Sequence, residues 1–348
     1  MKYKLLICIF TIFITQLTIT AEEGLFSPEQ VVVPFNKERV LKSIVRISTH
    51  IYWDVMVFER KEDADIFRQS YRAYPGSGRK TYLPEGVILW HVILTKADLA
   101  EISADPAQRQ RPGFFEIVQA FSNVTKFPTN KIVPAEGHAT GFFISQSGLI
   151  LTNYHILREE IEATNRTMGS SNEITCHYTS FEVPIVESGR IIGWQPLNGV
   201  KLIRNLSDQD WQAGYDGVLL KVDTTPQAFL QIADRQPEPK EELWHFGFPM
   251  RTNRNAEQLK AIGYTDANDT LRVSRGKITE VKDHNFVSDA DSFSGNSGSP
   301  ALSRDGRVLG YLWDVFPDTE ADRRATVFQG GSIYVTALPI GKRLQIPQ

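Results

Sequence analysis

Residues from about 137 onward predict an all-β, barrel-type fold, and two observations carry the prediction. Short apolar runs recur there, at 139–145, 149–153, 189–194, 217–222, 243–248, 271–281, 308–313 and 332–337. Glycine, asparagine, aspartate and proline stand between them, the residues that reverse a chain most readily. Many short strands separated by turns suit sheets that close on themselves. The 348-residue chain is 41% hydrophobic and 23% charged, an ordinary globular composition with room for one large or two modest domains.

The residues before 137 read differently. Val40, Leu41, Ile44, Val45 and Ile47 follow Asn36, a residue suited to capping a helix, so a short helix is expected over 36–47. Phe114, Ile117, Val118, Phe121 and Val124 recur at three- and four-residue steps and predict a second helix. The stretches 51–58 and 87–94 read as strands, with a loop-like segment at 74–80 between them. Two organisations fit these signals. Residues 22–135 form a mixed α/β accessory or pro-segment ahead of a β domain at 136–348, or residues 43–48 are the first barrel strand and a long insertion follows. The separate segment is the favoured expectation.

The strongest chemical signal is Gly295-Asn296-Ser297-Gly298-Ser299-Pro300. A tight, glycine-flanked turn of this kind exposes a serine hydroxyl beside the backbone N–H groups of Gly295 and Ser297. Acyl transfer needs that pairing of a nucleophile with donors for the developing oxyanion. A serine is a weak nucleophile alone, so a base and an orienting acid are required. Two apolar runs joined by Gln146-Ser147-Gly148 lead to His155, placed at a strand end where a general base can be held firmly. Asp216 opens the apolar run 217–222 and is suited to be buried against an imidazole. Asp208, Asp210 and Asp223 are the alternative acids.

The blocks Thr140-Gly141-Phe142-Phe143-Ile144-Ser145, Leu151-Thr152-Asn153-Tyr154-His155, Asp216-Gly217-Val218 and Gly295 to Pro300 run in the order His, Asp, Ser. In that order and spacing, 137–345 resembles the trypsin-like (chymotrypsin-fold) serine peptidases. The resemblance is closest to the bacterial secreted branch of glutamyl endopeptidases and high-temperature-requirement protease domains. It implies two packed antiparallel six-stranded β-barrels, with His155 and Asp216 from the first, Ser297 from the second, and the substrate cleft between them. It also implies a secreted serine endopeptidase acting on polypeptides through an acyl-enzyme intermediate. A catalytically silent binding protein on the same scaffold is the alternative. The stretch between His155 and Asp216 is longer than in compact bacterial members, so an enlarged polar loop is expected around 159–171. Asp291, Trp313 and Asp314 are the substrate-pocket candidates, Asp291 being alternatively a hydrogen-bond acceptor that braces the loop before Ser297. Leu312 stands where glutamyl-specific members carry a histidine, which argues against glutamate preference. None of the peptide-binding modules of the high-temperature-requirement proteins is expected after the final strand at 332–337.

The remaining signals bound the setting. Met1-Lys2-Tyr3-Lys4, an apolar run and Ala21 before Glu22-Glu23 form a secretory signal over 1–21, cut near Ala21. Of the two cysteines, Cys8 lies in that signal and Cys176 is left alone, so no intrachain disulfide is expected and a bacterial periplasm or exterior is favoured. Asn123, Asn165, Asn205 and Asn268 occupy Asn-x-Ser/Thr sites that matter only in a eukaryotic secretory route. His138, His177, His245 and His284 show no metal-ligand spacing and read as structural or surface residues; no metal or cofactor is expected. A formal charge of −3 and no basic run make nucleic acid an unexpected partner, and no later run is long enough to span a membrane.

Overall fold

The computed structural model describes residues 28, 31–72, 80–104, 114–134, 137–168, 174–205, 215–249, 271–292, 295–315 and 332–346. The expected signal over 1–21 lies outside the described residues, as do nearly all of the 74–80 loop and the alternative acids Asp208 and Asp210.

Helix α1 (Lys37–Leu41) starts where expected, with the Asn36 side chain accepting the Arg39 N–H. It stops at Leu41, earlier than the sequence suggested. The β-branched residues Ile44, Val45 and Ile47 favour extended backbone, and they form β1 (Ile44–Thr49), buried along most of its length. The chain then continues through β2 (Ile51–Phe58), α2 (Lys61–Arg72), β3 (Lys80–Leu83), β4 (Val87–Thr95), α3 (Lys96–Ala104), α4 (Phe114–Phe121) and β5 (Thr129–Pro134). These strands form their own sheet in the order β3-β4-β2-β5, with β2 parallel to β4 and antiparallel to β5. Val55, Val57 and Val133 on one face pack against Ile117 and Phe121 of α4, giving this segment a separate small core.

After it come β6 (Gly137–Phe143), β7 (Leu149–Thr152), α5 (Tyr154–Met168), β8 (Ile174–Thr175), β9 (Thr179–Glu187), β10 (Arg190–Leu197), β11 (Lys201–Asn205) and β12 (Val218–Lys221). Strand β1 lies inside this lobe, pairing with β6 on one side and β9 on the other. The expected boundary at 136 is therefore corrected: the first strand of the β domain precedes residues 51–134, which interrupt it as an insertion. Thr49 faces Gly137 and Tyr52 faces Pro134, so the chain leaves and rejoins the lobe along one antiparallel ribbon.

The second lobe holds β13 (Glu242–Gly247), β14 (Arg272–Val281), β15 (Asn285–Ser288), β16 (Pro300–Leu302), β17 (Val308–Val315) and β18 (Ser332–Thr336), followed by α6 (Ala337–Arg343). Its six strands close into a barrel, β13-β14-β15-β18-β17-β16. The first lobe is a curled eight-stranded sheet, β10-β9-β1-β6-β7-β12-β11-β8, open among the described residues, where a closed six-stranded barrel was expected. Edge strands β8 and β10 account for the added width. The architecture remains chymotrypsin-like. Phe142, Leu151 and Leu219 of the first lobe share a core with Trp244, Phe246, Val273 and Tyr311 of the second, which fixes one lobe against the other.

Candidate active site

Strand β7 delivers the chain to Thr152, and His155 sits in the first turn of α5. The expected loop at 159–171 is helical as far as Met168. Leu157 and Ile161, one turn apart, are buried on the lobe's core and hold the helix down. Asp216 lies just ahead of β12 and is fully buried, whereas the His155 side chain is 32% exposed.

Both carboxylate oxygens of Asp216 serve His155. Oδ2 lies 2.5 Å from His155 Nδ1, and Oδ1 accepts the His155 backbone N–H at 3.0 Å. A carboxylate can only accept, so Nδ1 carries its proton and Nε2 keeps a lone pair for a substrate-side proton. The main chain of Asp216 is held as well: its carbonyl accepts the Tyr311 hydroxyl at 2.7 Å and the Asn153 amide at 3.4 Å. Tyr311 comes from β17, so the second lobe grips the acid of the first. A side chain at Gly217 would meet that hydroxyl at 2.7 Å, which explains the glycine after the aspartate.

Ser297 stands half-exposed between buried neighbours, with Gly295 at φ 95 and Gly298 at φ 83 on either side of it. Those conformations suit glycine alone. The loop is anchored from both lobes. Gly298 N–H donates to Leu312 at 2.8 Å within the second barrel, and the Ser297 carbonyl accepts the Thr140 N–H at 2.8 Å from β6. A Cβ on Gly298 would fall 1.9 Å from the Thr140 carbonyl and 2.5 Å from Thr152 Oγ1. Thr152 itself donates to the Thr140 carbonyl at 2.7 Å, three residues before His155. The loop of the nucleophile candidate is thus seated on the hairpin that carries the base candidate. No hydrogen bond joins the Ser297 hydroxyl to His155; such bonds commonly tighten only when substrate is bound. The N–H groups of Gly295 and Ser297 have no acceptor among the described residues.

Of the other candidates, Asp291 is buried, 4% exposed, at the base of the same loop. Its neighbour Ser292 bonds the Ser332 hydroxyl at 2.9 Å. Trp313 is half-buried and Asp314 exposed on β17, where a register shift separates Leu312 from Asp314. Asp223 is exposed at the far end of β12. His245 is buried with Nδ1 2.6 Å from the Tyr334 hydroxyl, and burial pushes it down to about 3. His138 bonds Ser48 at 2.9 Å. Among the described residues no group of three His, Cys, Asp or Glu side chains is arranged to hold a metal ion, and no helix is long and apolar enough to cross a membrane. Thr140 and Tyr311 are the site residues that the sequence did not single out.

The family model of the trypsin-like peptidase domain matches residues 139–310, a span that contains His155, Asp216 and Ser297. This chain carries a trypsin-like serine peptidase domain. A shorter match, to the peptidase S46 model, covers 98–169 and runs from the insertion into α5. Solved structures similar to this peptidase include the Rv3671c protease from M. tuberculosis in its active form, at 13% identity over 89% of this chain and 83% of that one, TM-score 0.39. The HtrA-type protease AlgW with a decapeptide matches at 14% identity over 88% of this chain and 64% of AlgW, TM-score 0.40. The MamO protease domain from Magnetospirillum magneticum matches at 19% identity over 60% of this chain and 88% of that domain, TM-score 0.35.

Proposed function

We propose that this peptidase is an exported endopeptidase that cleaves polypeptides by acyl transfer at Ser297. The Ser297 hydroxyl attacks the scissile carbonyl carbon while His155 Nε2 takes its proton. That proton passes to the leaving amine as the C–N bond breaks. Asp216 holds the imidazole in one tautomer and offsets the positive charge it gains. The Gly295 and Ser297 N–H groups receive the oxyanion. Water, deprotonated by His155, then hydrolyses the acyl ester and restores the serine. One observation carries this reading: the 2.5 Å contact between His155 Nδ1 and a fully buried Asp216, on a hairpin to which the Ser297 main chain is also bonded. Export rests on the basic and apolar residues before Ala21.

For the side chain preceding the scissile bond, the buried Asp291 offers a partner to lysine or arginine. Leu312 in place of a histidine, and the exposed carboxylate of Asp314, disfavour glutamate. Reaction with a fluorophosphonate probe, followed by hydrolysis of a panel of fluorogenic peptides, tests both parts. Wild type should label once, at Ser297, and Ser297→Ala should lose turnover by about a million-fold. A wild type that binds peptides yet neither labels nor hydrolyses would be a silent scaffold. Equal cleavage after basic and neutral residues would remove Asp291 from the pocket.

A further inference from the structure

The insertion holds the helix of the catalytic base from two directions. Positions 155, 159 and 162 fall on one stripe of α5, being four and seven residues apart. Lys80, the first residue of β3, reaches that stripe: its ammonium lies 2.5 Å from Glu159 and 3.4 Å from Glu162. It also sits over the Trp90 ring at 5.0 Å. All three charged side chains are more than half buried, the ammonium side at 24% and Glu159 at 15% exposed.

The second hold runs through Glu160, on the neighbouring stripe. Its carboxylate, fully buried and pushed up mainly by that burial, accepts the backbone N–H groups of His177 and Tyr178, each at 2.7 Å. That strand start is in turn clasped by the insertion. A side chain at Gly86, at φ 83, would come 2.3 Å from the His177 carbonyl, and the Tyr82 and Tyr178 rings meet edge-on at 5.6 Å. The insertion has its own core elsewhere, around Val55 and Ile117, so these contacts are additional to what its own folding requires.

From this geometry we infer that the insertion positions the catalytic base, with Lys80 as the positioning residue. The inference rests on the Ser297–His155–Asp216 reading. Asp216 fixes one edge of the imidazole, but the rotation and tilt of α5 decide where Nε2 stands relative to Ser297. A charge clamp one turn below His155, on the same stripe, sets that rotation. The ion pair adds little to global stability, as partly exposed pairs do. Its effect falls on a distance to which acyl transfer is steeply sensitive.

The test compares Lys80→Glu, Lys80→Met and the swap Lys80→Glu with Glu159→Lys, in the full chain, with Lys96→Glu as a control. Lys96 lies on the same insertion but pairs only loosely, 3.8 Å from an exposed Glu59. Expected is a roughly 10-fold slower fluorophosphonate reaction and kcat for Lys80→Glu, with KM held within about twofold. Lys80→Met should show a smaller loss, the swap should recover most of it, and the control should match wild type. Amide exchange over residues 156–160 should quicken in Lys80→Glu and return in the swap. Wild-type rates and wild-type exchange in both Lys80 variants would overturn the inference, as would faster exchange spread evenly over the whole first lobe. A wild type that fails to label defeats the proposed chemistry instead, and the exchange comparison still decides the clamp.

Discussion

At the scale of single residues, the geometry of the proposed site depends on side chains outside the Ser297, His155 and Asp216 set. Tyr311 is the clearest. It is buried, its phenol pushed well up by that burial and then by the nearby Asp216 charge, and it donates to the Asp216 carbonyl from the opposite lobe. Tyr311→Phe keeps the ring against Phe142, 6.3 Å away, and deletes only the hydroxyl. The loss should cost about 1 kcal/mol in urea unfolding. Turnover should fall several-fold at unchanged KM, because the acid's main chain is freer to shift. Unchanged unfolding and turnover would show that Asn153 alone suffices. Ser297, His155 and Asp216, the proposed reacting groups, each stand in a run whose local composition marks them in the sequence. Tyr311 and Thr140 are not so marked. An aromatic or threonine in a strand is ordinary sequence, and their importance comes from partners 95 and 157 residues away, brought close only by the docking of the lobes.

At the scale of elements, the strands with bounded apolar runs were readable and the errors share a cause. Strand β2 spans the expected 51–58, and α4 begins at the expected Phe114. Val40, Leu41, Ile44 and Val45 satisfy helical spacing, so the sequence admits both a helix over 36–47 and the alternative first strand at 43–48, and the second is what forms as β1. Its extended form is decided by partners on both sides, Phe142 opposite Ile44 and Phe181 opposite Ile47. The long interval between His155 and Asp216 and the polar composition of 159–171 predict a loop there, where α5 continues to Met168. Two of its polar residues, Glu159 and Glu160, are occupied by Lys80 and by the backbone of His177 and Tyr178. Polarity there marks contact with another part of the molecule, not exposure to water. Strand β9 carries Pro184 in its interior, a residue that weakens a strand prediction, yet it pairs along both neighbours.

At the scale of the whole molecule, stability should carry a pH dependence set in the second barrel. His245 is buried beside Tyr334, and burial pushes it from 6.5 down to about 3. Between those values the unfolded chain binds a proton that the folded chain refuses. This contribution is therefore complete above pH 6.5 and is lost as the pH falls toward 3. Urea unfolding of wild type and His245→Gln at pH 7 and pH 4.5 measures it: the variant should lose less stability on acidification than wild type does. An identical loss in both would assign the acid sensitivity to other groups. The ribbon that joins the insertion to the first lobe has a different consequence. Because Thr49 and Gly137 are already cross-strand partners, residues 50–136 could be excised and the gap closed by an Asn-Gly hairpin turn without altering the register of β1 against β6. Such a miniature would keep every proposed reacting group while losing the Lys80 brace. The same junction is a graft point at which a foreign domain could be spliced beside the base without severing the β1–β6 pairing.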